Sequence, residues 1–275
     1  MKRPYFALAA AVVLSAALIV LTAAYSTAQV RPPAIGIARL PDGSVRNLYG
    51  LPADVVVDSR SLGSFDAASF SDQAGLVAKG GRIQLVNTIF TALGEYGSDE
   101  AQPLLNVDGD ARSAIAWLPS SQSILYWSGE NFVVKAVSGL DASLKATSVR
   151  VAGRERAQLL MTNAQGAVLE ATVGLESGNV ISLKWLPGMR GEAFWQGSNL
   201  LFAGDGGIGV VSADGAVRAL GAVTGGGVDF QHISSKWVLV TSRSDGRLWA
   251  VHFSGDEIGM SEVPAPRMVA TGVAK

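Results

Sequence analysis

The chain of 275 residues contains no cysteine and only two histidines, His232 and His252. Without cysteine it cannot form a disulfide framework, a thiolate metal site or a thiol nucleophile. Two histidines exclude a catalytic zinc held by three imidazoles and leave only a mixed site of histidine and carboxylates. Charge is also scarce, at 16% of residues and a net value of −1. Proteins that bind phosphate backbones need a basic surplus, so a nucleic-acid partner is not expected.

The first 28 residues have the pattern of an export signal. A basic start at residues 2–3 is followed by an uncharged, Ala/Leu/Val-rich run at residues 5–25 and then by small residues. This order predicts a secretory signal cleaved between Ala28 and Gln29. The run also approaches the length that spans a bilayer, so a retained membrane anchor is the alternative. In either case the rest of the chain is expected outside the cytoplasm, either periplasmic or secreted, and membrane-anchored if the segment is retained.

The whole chain is 48% hydrophobic, and the part after the signal is organised as a repeat of short apolar runs. No stretch of ten residues shows convincing helical periodicity. Six units share one form, in which an apolar run, a polar turn with Gly or Asn, and a second apolar run follow each other. The turns end at Gly43, Gly81, Asn131, Gly166, Gly207 and Gly246, in steps of 38, 50, 35, 41 and 39 residues.

A period near 40 residues accommodates about four strands, and such a small sheet cannot bury both of its faces alone. Radial stacking of these sheets gives a β-propeller. We therefore predict a single all-β propeller over residues 29–270, with residues 271–275 as a tail. Six blades are expected, with the terminal strands closing one blade between them. Seven blades remain possible if residues 86–114 hide a weak repeat, and a β-sandwich is the structural rival.

Tryptophan placement agrees with a repeat, since the six tryptophans fall into three pairs spaced ten to twelve residues apart. Large aromatic side chains dominate packing, so a wedge between blades is the favoured interpretation. The alternative is an exposed aromatic platform for a sugar or a peptide. The pairs are Trp117 and Trp127, Trp185 and Trp195, and Trp237 and Trp249.

The hairpin units, and above all residues 244–249 (Ser-Asp-Gly-Arg-Leu-Trp), resemble the blade repeats of secreted bacterial propeller proteins of the WD40, NHL or YVTN type. Residues 45–53 (Val-Arg-Asn-Leu-Tyr-Gly-Leu-Pro-Ala) are similar to an element of uncharacterised exported propellers. Residues 244–249 are also similar to the Asp-box of sialidases, with one position deleted and Leu248 in place of threonine. The resemblance implies a propeller fold and an extracytoplasmic location.

The motif Gly204-Asp-Gly-Gly-Ile-Gly209 matches the dinucleotide-binding pattern in letters only. Dinucleotide binding requires the glycines to join a strand to a helix. The residues after Gly209 are β-branched and end in another turn, so a hairpin is predicted and no cofactor is expected.

Three oxygen-bearing side chains, Asn106, Asp108 and Asp110, have the spacing of the first half of a calcium loop. No carboxylate stands in the second half, so these residues are weak candidates for a calcium site and a solvated loop is favoured.

Residues 229–235 combine Asp, His and Ser without a nucleophile elbow, so His232 and His252 are expected to be structural. The acidic run at residues 95–100 is expected to be a solvated loop.

These patterns favour an exported, non-catalytic binding or interaction module, with an envelope protein or a glycan as partner and no catalytic residues assigned. The alternative is a propeller-type hydrolase or lyase that acts on carbohydrate or lactone with a metal on the axis. A third possibility is an anchored part of an envelope assembly. An enzyme should collect several carboxylates and a histidine at one end of the axis, whereas a binding module should present an aromatic or neutral polar mouth.

Overall fold

The computed structural model describes residues 32–204, 206–223, 227–255 and 257–264. These residues form six antiparallel sheets that follow one another along the chain, and they contain no α-helix. The predicted all-β propeller with six blades is confirmed. The predicted signal, its cleavage point at Ala28 and Gln29, and the tail at residues 271–275 lie outside the described residues.

Blades 1 to 3 are built from consecutive strands of three to eleven residues. Blade 1 has three strands, and blades 2 and 3 have four each. Their strands are β1 (Ala34–Arg39), β2 (Ser44–Leu51) and β3 (Asp54–Ser64); β4 (Ala67–Phe70), β5 (Ala74–Lys79), β6 (Arg82–Asn87) and β7 (Ala92–Gly97); and β8 (Leu104–Asn106), β9 (Ile115–Leu118), β10 (Ser123–Trp127) and β11 (Phe132–Ala136). A 3₁₀ turn at Ala111–Ser113 precedes β9.

Blades 4 to 6 have four strands each, again in chain order. Their strands are β12 (Lys145–Val151), β13 (Arg156–Thr162), β14 (Ala167–Gly174) and β15 (Val180–Arg190); β16 (Ala193–Gln196), β17 (Asn199–Gly204), β18 (Gly207–Val211) and β19 (Val217–Gly221); and β20 (Val228–Ser234), β21 (Trp237–Ser242), β22 (Leu248–Ser254) and β23 (Glu257–Val263).

The repeat seen in the sequence follows one hairpin of each blade, with a single exception. The turns ending at Gly81, Gly166, Gly207 and Gly246 join the second and third strands of their blades. Asn131 instead belongs to the hairpin between the third and fourth strands of blade 3. The equivalent turn of that blade is residues 119–122, which explains the irregular steps of 50 and 35 residues. Residues 86–114 add no seventh sheet.

The first strands of blades 2 to 6 contact one another in turn and form a ring around the axis: β4, β8, β12, β16 and β20. Strand β20 runs parallel to β4, because Gln231 bonds to Ala68 and His232 to Phe70. Blade 1 differs, since β1 runs antiparallel to β20, with Arg39 beside Gln231 and Gly36 beside Ile233. Strand β1 therefore occupies a second-strand position, and no described residue fills the innermost position of blade 1.

The expectation that both termini share a blade does not hold for the described residues. All three strands of blade 1 come from residues 34–64, and their sheet contains no strand from the C-terminal part of the chain. Among the described residues, the side chain of Gln231 bridges the strands on either side of this position. Its Oε1 accepts from the backbone N–H of Arg39 at 3.2 Å, and its Nε2 donates to the carbonyl of Ala68 at 3.2 Å.

The core lies between neighbouring blades, where strand residues on alternate positions interdigitate. Blades 6 and 1 share one such cluster, in which Leu48 and Leu239 are fully buried. Burying each of these side chains contributes about 1.5–3 kcal/mol. This apolar contact joins the first blade to the last, which share no strand among the described residues. Its other members are Ile35, Ala38, Leu40, Val55, Val57, Ile233, Trp237, Leu248, Ala250 and Val263.

Candidate functional site at the axial mouth

A cavity of about 1220 Å³ opens at the end of the axis where the five inner strands begin. We call this end the axial mouth. Its walls come from the starts of the inner strands, the connections before them and the end of β1 at Arg39. The second strand of each blade runs antiparallel to the first, so the end of β21 at Arg243 also reaches this side.

Five carboxylates line the axial mouth, one from the beginning of each of blades 2 to 6. They lie just before the inner strands or at their first residues, and therefore far apart in the sequence. They are Asp66, Glu100, Asp141, Glu192 and Asp229. Together with His232, which also lines the cavity, they match the composition expected for an enzyme rather than for a neutral binding mouth.

Three of these carboxylates accept hydrogen bonds from donors in the same blade or in the same loop. Asp66 accepts from the backbone N–H of Gly80 at 2.8 Å. Glu100 accepts from the N–H of Ser120 at 2.8 Å and from its hydroxyl at 3.1 Å. The backbone and side chain of Ser143 bond to Asp141 and lower the pKa of that carboxyl. A general acid at neutral pH needs a raised pKa, so Asp141 is tuned in the opposite direction.

The other two carboxylates share one guanidinium. Arg243 donates from Nη1 to Glu192 at 2.6 Å, and from Nη2 and Nε to Asp229 at 2.7 and 2.9 Å. Burial opposes the charged form of Arg243, but the hydrogen bonds to Asp229 and Glu192 outweigh it and raise its pKa. A Cβ at Gly227 would stand 2.9 Å from Nη1. This ion triad joins the beginnings of blades 5 and 6 at the edge of the cavity.

The remaining surface of the axial mouth combines apolar side chains with one cation. Phe230 is half-buried and stacks on Phe194, with ring centroids 5.8 Å apart. Leu104 and Leu105 are half-buried in the same cavity. Lys145 is exposed and forms no ion pair with any described residue. The mouth therefore offers apolar contact and a free ammonium group beside carboxylates that are already bonded.

Polar side chains connect every pair of neighbouring inner strands. The N–H of Val107 donates to the Ser69 hydroxyl. Gln231 connects β20 and β4, as described above. At each of the three remaining junctions, a side chain donates to a backbone carbonyl of the next inner strand. They are Asn106 to Val149 at 2.7 Å, Thr147 to Ala193 at 3.0 Å, and Gln196 to Ser234 at 3.1 Å. These buried and partly buried polar groups therefore serve the closure of the ring.

The calcium-loop candidates are placed in three different environments. Asn106 is buried at the end of β8, where it bonds to β12. Asp108 is half-exposed, with its Oδ1 3.8 Å from Nε2 of His232. Asp110 caps the 3₁₀ turn and accepts from the N–H of Arg112 at 3.0 Å. Within the described ranges, no group of three or more His, Asp or Glu side chains is placed to hold a metal ion.

The dinucleotide-like glycines lie in a hairpin between β17 and β18, where Gly204 pairs with Gly207. Residue 205 lies outside the described part. A Cβ at Gly209 would stand 2.4 Å from the ring of Phe202, so this glycine is required by strand packing. The motif joins two strands, as predicted, and lacks the helix that dinucleotide binding requires.

His252 packs in the middle of β22 with its ring centroid 4.4 Å from that of Trp237. Burial, together with the charge of Lys236, lowers the pKa of His252. Near the other histidine, His232, the hydroxyl of Ser235 donates to Asp72 rather than to the imidazole. The acidic run at residues 95–100 is divided in the structure, since Glu95 pairs with Arg82 on the surface while Glu100 lines the mouth.

The tryptophans pack between blades with one clear exception. Four of them are at least 94% buried and Trp127 is half-buried, which agrees with a role in packing. Trp185 is 54% exposed on β15, the outermost strand of blade 4, so the expectation of packing is wrong for this residue. Ile181 and Leu183 are exposed at alternate positions of the same strand and extend this apolar stripe. The buried four are Trp117, Trp195, Trp237 and Trp249.

Neither the known family models nor the curated proteins contain a match to this chain. Among solved structures, it is similar to Kluyveromyces lactis Hsv2, with 12% identity, coverage of 84% of this chain and 85% of that one, and a TM-score of 0.42. BamB from Moraxella catarrhalis matches with 12% identity, coverage of 81% and 75%, and a TM-score of 0.40.

PorZ of Porphyromonas gingivalis, a surface component of the type-IX secretion system, is also 12% identical. The match covers 84% of this chain but only 32% of PorZ, with a TM-score of 0.49. At these values the similarities carry no inference about ligand or activity. In the described residues, no helix is long and apolar enough to cross a membrane.

Sequence reasoning did not identify the mouth residues as a group. Asp66, Glu192 and Arg243 match no motif, because they come from blades that are remote in sequence. A usable signal existed in the repeat itself, since an acidic residue stands within four positions of the start of each inner strand of blades 2 to 6. The exposure of Trp185 had no such signal.

Proposed function

We propose that this protein is an exported, non-catalytic propeller that binds a partner of the cell envelope, a protein or a glycan, at its axial mouth. The observation that carries this proposal is the bonding state of the mouth. All five carboxylates of the 1220 Å³ cavity accept hydrogen bonds from the protein's own donors, so they shape the site. Apolar surface with a few fixed polar groups is what binding sites use for affinity and orientation.

A crosslinking experiment tests where the partner binds. A photoreactive amino acid replaces Leu144 at the mouth in one variant and Lys135 on β11, the outermost strand of blade 3, in the matched control. Both are exposed to crosslinking in an envelope fraction of the native host. We expect a discrete adduct from position 144 and none from position 135. Equal labelling from both positions, or no adduct from position 144, would refute binding at the mouth.

Export and the absence of catalysis need their own measurements. The mature chain in an extracytoplasmic fraction should begin at Gln29 by mass spectrometry if the signal is cleaved, and at residue 1 if an anchor is retained. Recovery in the cytoplasm would contradict export.

Purified protein should release no product from glycans or lactones above the rate of a variant in which both Glu192 and Asp229 are replaced by their amides. A rate that depends on these carboxylates would support the hydrolase instead.

A further inference from the structure

The imidazole of His232 is only 3% exposed and has one bonded and one free nitrogen. Its Nδ1 lies 2.6 Å from the carbonyl oxygen of Phe70. A carbonyl only accepts, so Nδ1 carries the proton and donates. In the neutral ring, Nε2 is then a lone-pair acceptor, and it has no hydrogen-bond partner.

The group that faces this free nitrogen is another acceptor. Oδ1 of Asp108 lies 3.8 Å from Nε2, and no described residue donates a hydrogen bond to this carboxylate. Two acceptors that face each other beside a buried ring are unfavourable unless a hydrogen-bond donor or a cation lies between them. Arg150 acts electrostatically on Asp108, but its Nε donates to Gln158 and its Nη1 to Gly197.

The surroundings of both groups are those of metal ligands. A metal-binding histidine usually donates its other N–H to a carbonyl or carboxylate, which fixes the ring as Phe70 does here. The Asp108 loop is fixed too, because its N–H donates to the Ser113 hydroxyl at 2.9 Å and that hydroxyl donates to the carbonyl of Asp110 at 2.7 Å. Ligands bonded at about 2.1 Å in a tetrahedral site stand about 3.4 Å apart, close to the observed 3.8 Å.

We propose that Nε2 of His232 and Oδ1 of Asp108 bind a zinc-type divalent cation. Nitrogen together with carboxylate suits zinc, whereas calcium takes oxygen ligands only. The Oδ1 atom of Asn106, two residues before Asp108, is also buried and without a partner. Water completes the coordination on the exposed side of Asp108. The ion joins the loop after β8 to β20, across β4, and so adds a contact between inner strands that are not neighbours.

The test uses the purified chain, stripped with a chelator and then titrated with zinc. We expect one zinc per chain to be retained through desalting, measured by mass spectrometry. The melting temperature should rise by about 5–10 °C when free zinc is a hundredfold above its dissociation constant. Asp108→Ala and His232→Gln should lose both responses. Asp110→Asn and His252→Gln are the controls, because they change a neighbouring carboxylate and the other histidine, and they should keep both.

Two results would overturn the site. Zinc retained equally by the wild type and by Asp108→Ala would show an adventitious ion only. If the wild type retains no zinc, the metal site is refuted. A melting temperature that then rises on mild acidification in the wild type, but not in Asp108→Ala, would show that a proton lies between the two groups instead. Since His232→Gln removes a buried ring and risks misfolding, Asp108→Ala, on a half-exposed side chain, decides the outcome alone if needed.

Discussion

Replacement of Gly36 by alanine tests the unusual junction between the first and last blades. Gly36 has φ +147°, and a Cβ built there would stand 2.3 Å from the carbonyl oxygen of Ile233 on β20. Relief of this clash requires β1 and β20 to separate by about 1 Å, and overpacking of this kind costs about 1–3 kcal/mol. The φ value adds a strain of about 1–3 kcal/mol for any residue with a side chain. We therefore expect Gly36→Ala to lose about 3–5 kcal/mol of stability.

The matched control is Gly80→Ala, in the β5–β6 hairpin. Gly80 also has a positive φ, +55°, but nothing lies within 4 Å of a Cβ built there. Only the left-handed strain remains, about 1–2 kcal/mol. For a domain of this size the melting temperature should fall by about 8–15 °C at position 36 and by about 2–6 °C at position 80. Thermal unfolding followed by circular dichroism measures both. A fall at position 36 no larger than that at position 80 would show that β1 and β20 are not in close contact.

Three further predictions concern the ring, a turn and the surface. Gln231→Ala leaves the N–H of Arg39 and the carbonyl of Ala68 without their partner, and should cost about 2–4 kcal/mol of stability in chemical denaturation. Gln231→Glu keeps the acceptor and loses the donor, so its stability should lie between those of the wild type and of Gln231→Ala. Equal stability of all three proteins would contradict the bridging role of Gln231. Hydrogen bonds from Ser242 and then from Arg247 lower the pKa of Asp245 to about 2, so the stability that it adds is present above the unfolded value of 3.8 and is lost as the pH falls towards 2. Asp245→Asn should therefore make the stability less dependent on pH in this window, and an unchanged dependence would refute this reasoning. Trp185→Ser should change the melting temperature by less than 2 °C, because the side chain is half-exposed, whereas Trp117→Ser, at a site 97% buried, should lower it by more than about 6 °C.

The fold could be predicted because the turns between its strands are encoded by local sequence. Each blade needs a tight turn between apolar strands, and residues such as Gly166 and Gly246 supply the positive φ that these turns require. The spacing of the turns then counts the blades. The one misplaced turn, at Asn131, shows the limit of this signal, since the Gly-Glu-Asn turn at residues 129–131 also suits the next hairpin of the same blade. A period alone does not say which pair of strands a turn connects.

The closure of the ring and the exposed stripe could not be predicted, because each depends on contacts between distant residues. Gln231 bridges β1 and β4 only because Arg39 and Ala68 lie on either side of it, and they are more than 160 positions away in sequence. Trp185 belongs to a strand with the same alternation as a buried one. It is exposed because β15 is the outermost strand and pairs, within the described ranges, only with β14.

The polar residues of this propeller divide into two groups, and this division supports the binding surface that we propose. Those on the inner strands, such as Asn106, Thr147 and Gln196, donate to the backbone of the neighbouring strand. Removing such a bond leaves a buried carbonyl unpaired, so a ligand that competed for the donor would also have to offset that cost. The groups at the axial mouth, such as Lys145 at the first position of β12, are exposed and can bond to a partner without opening the ring. Sequence change at the mouth can therefore alter the partner while the inner strands preserve the fold.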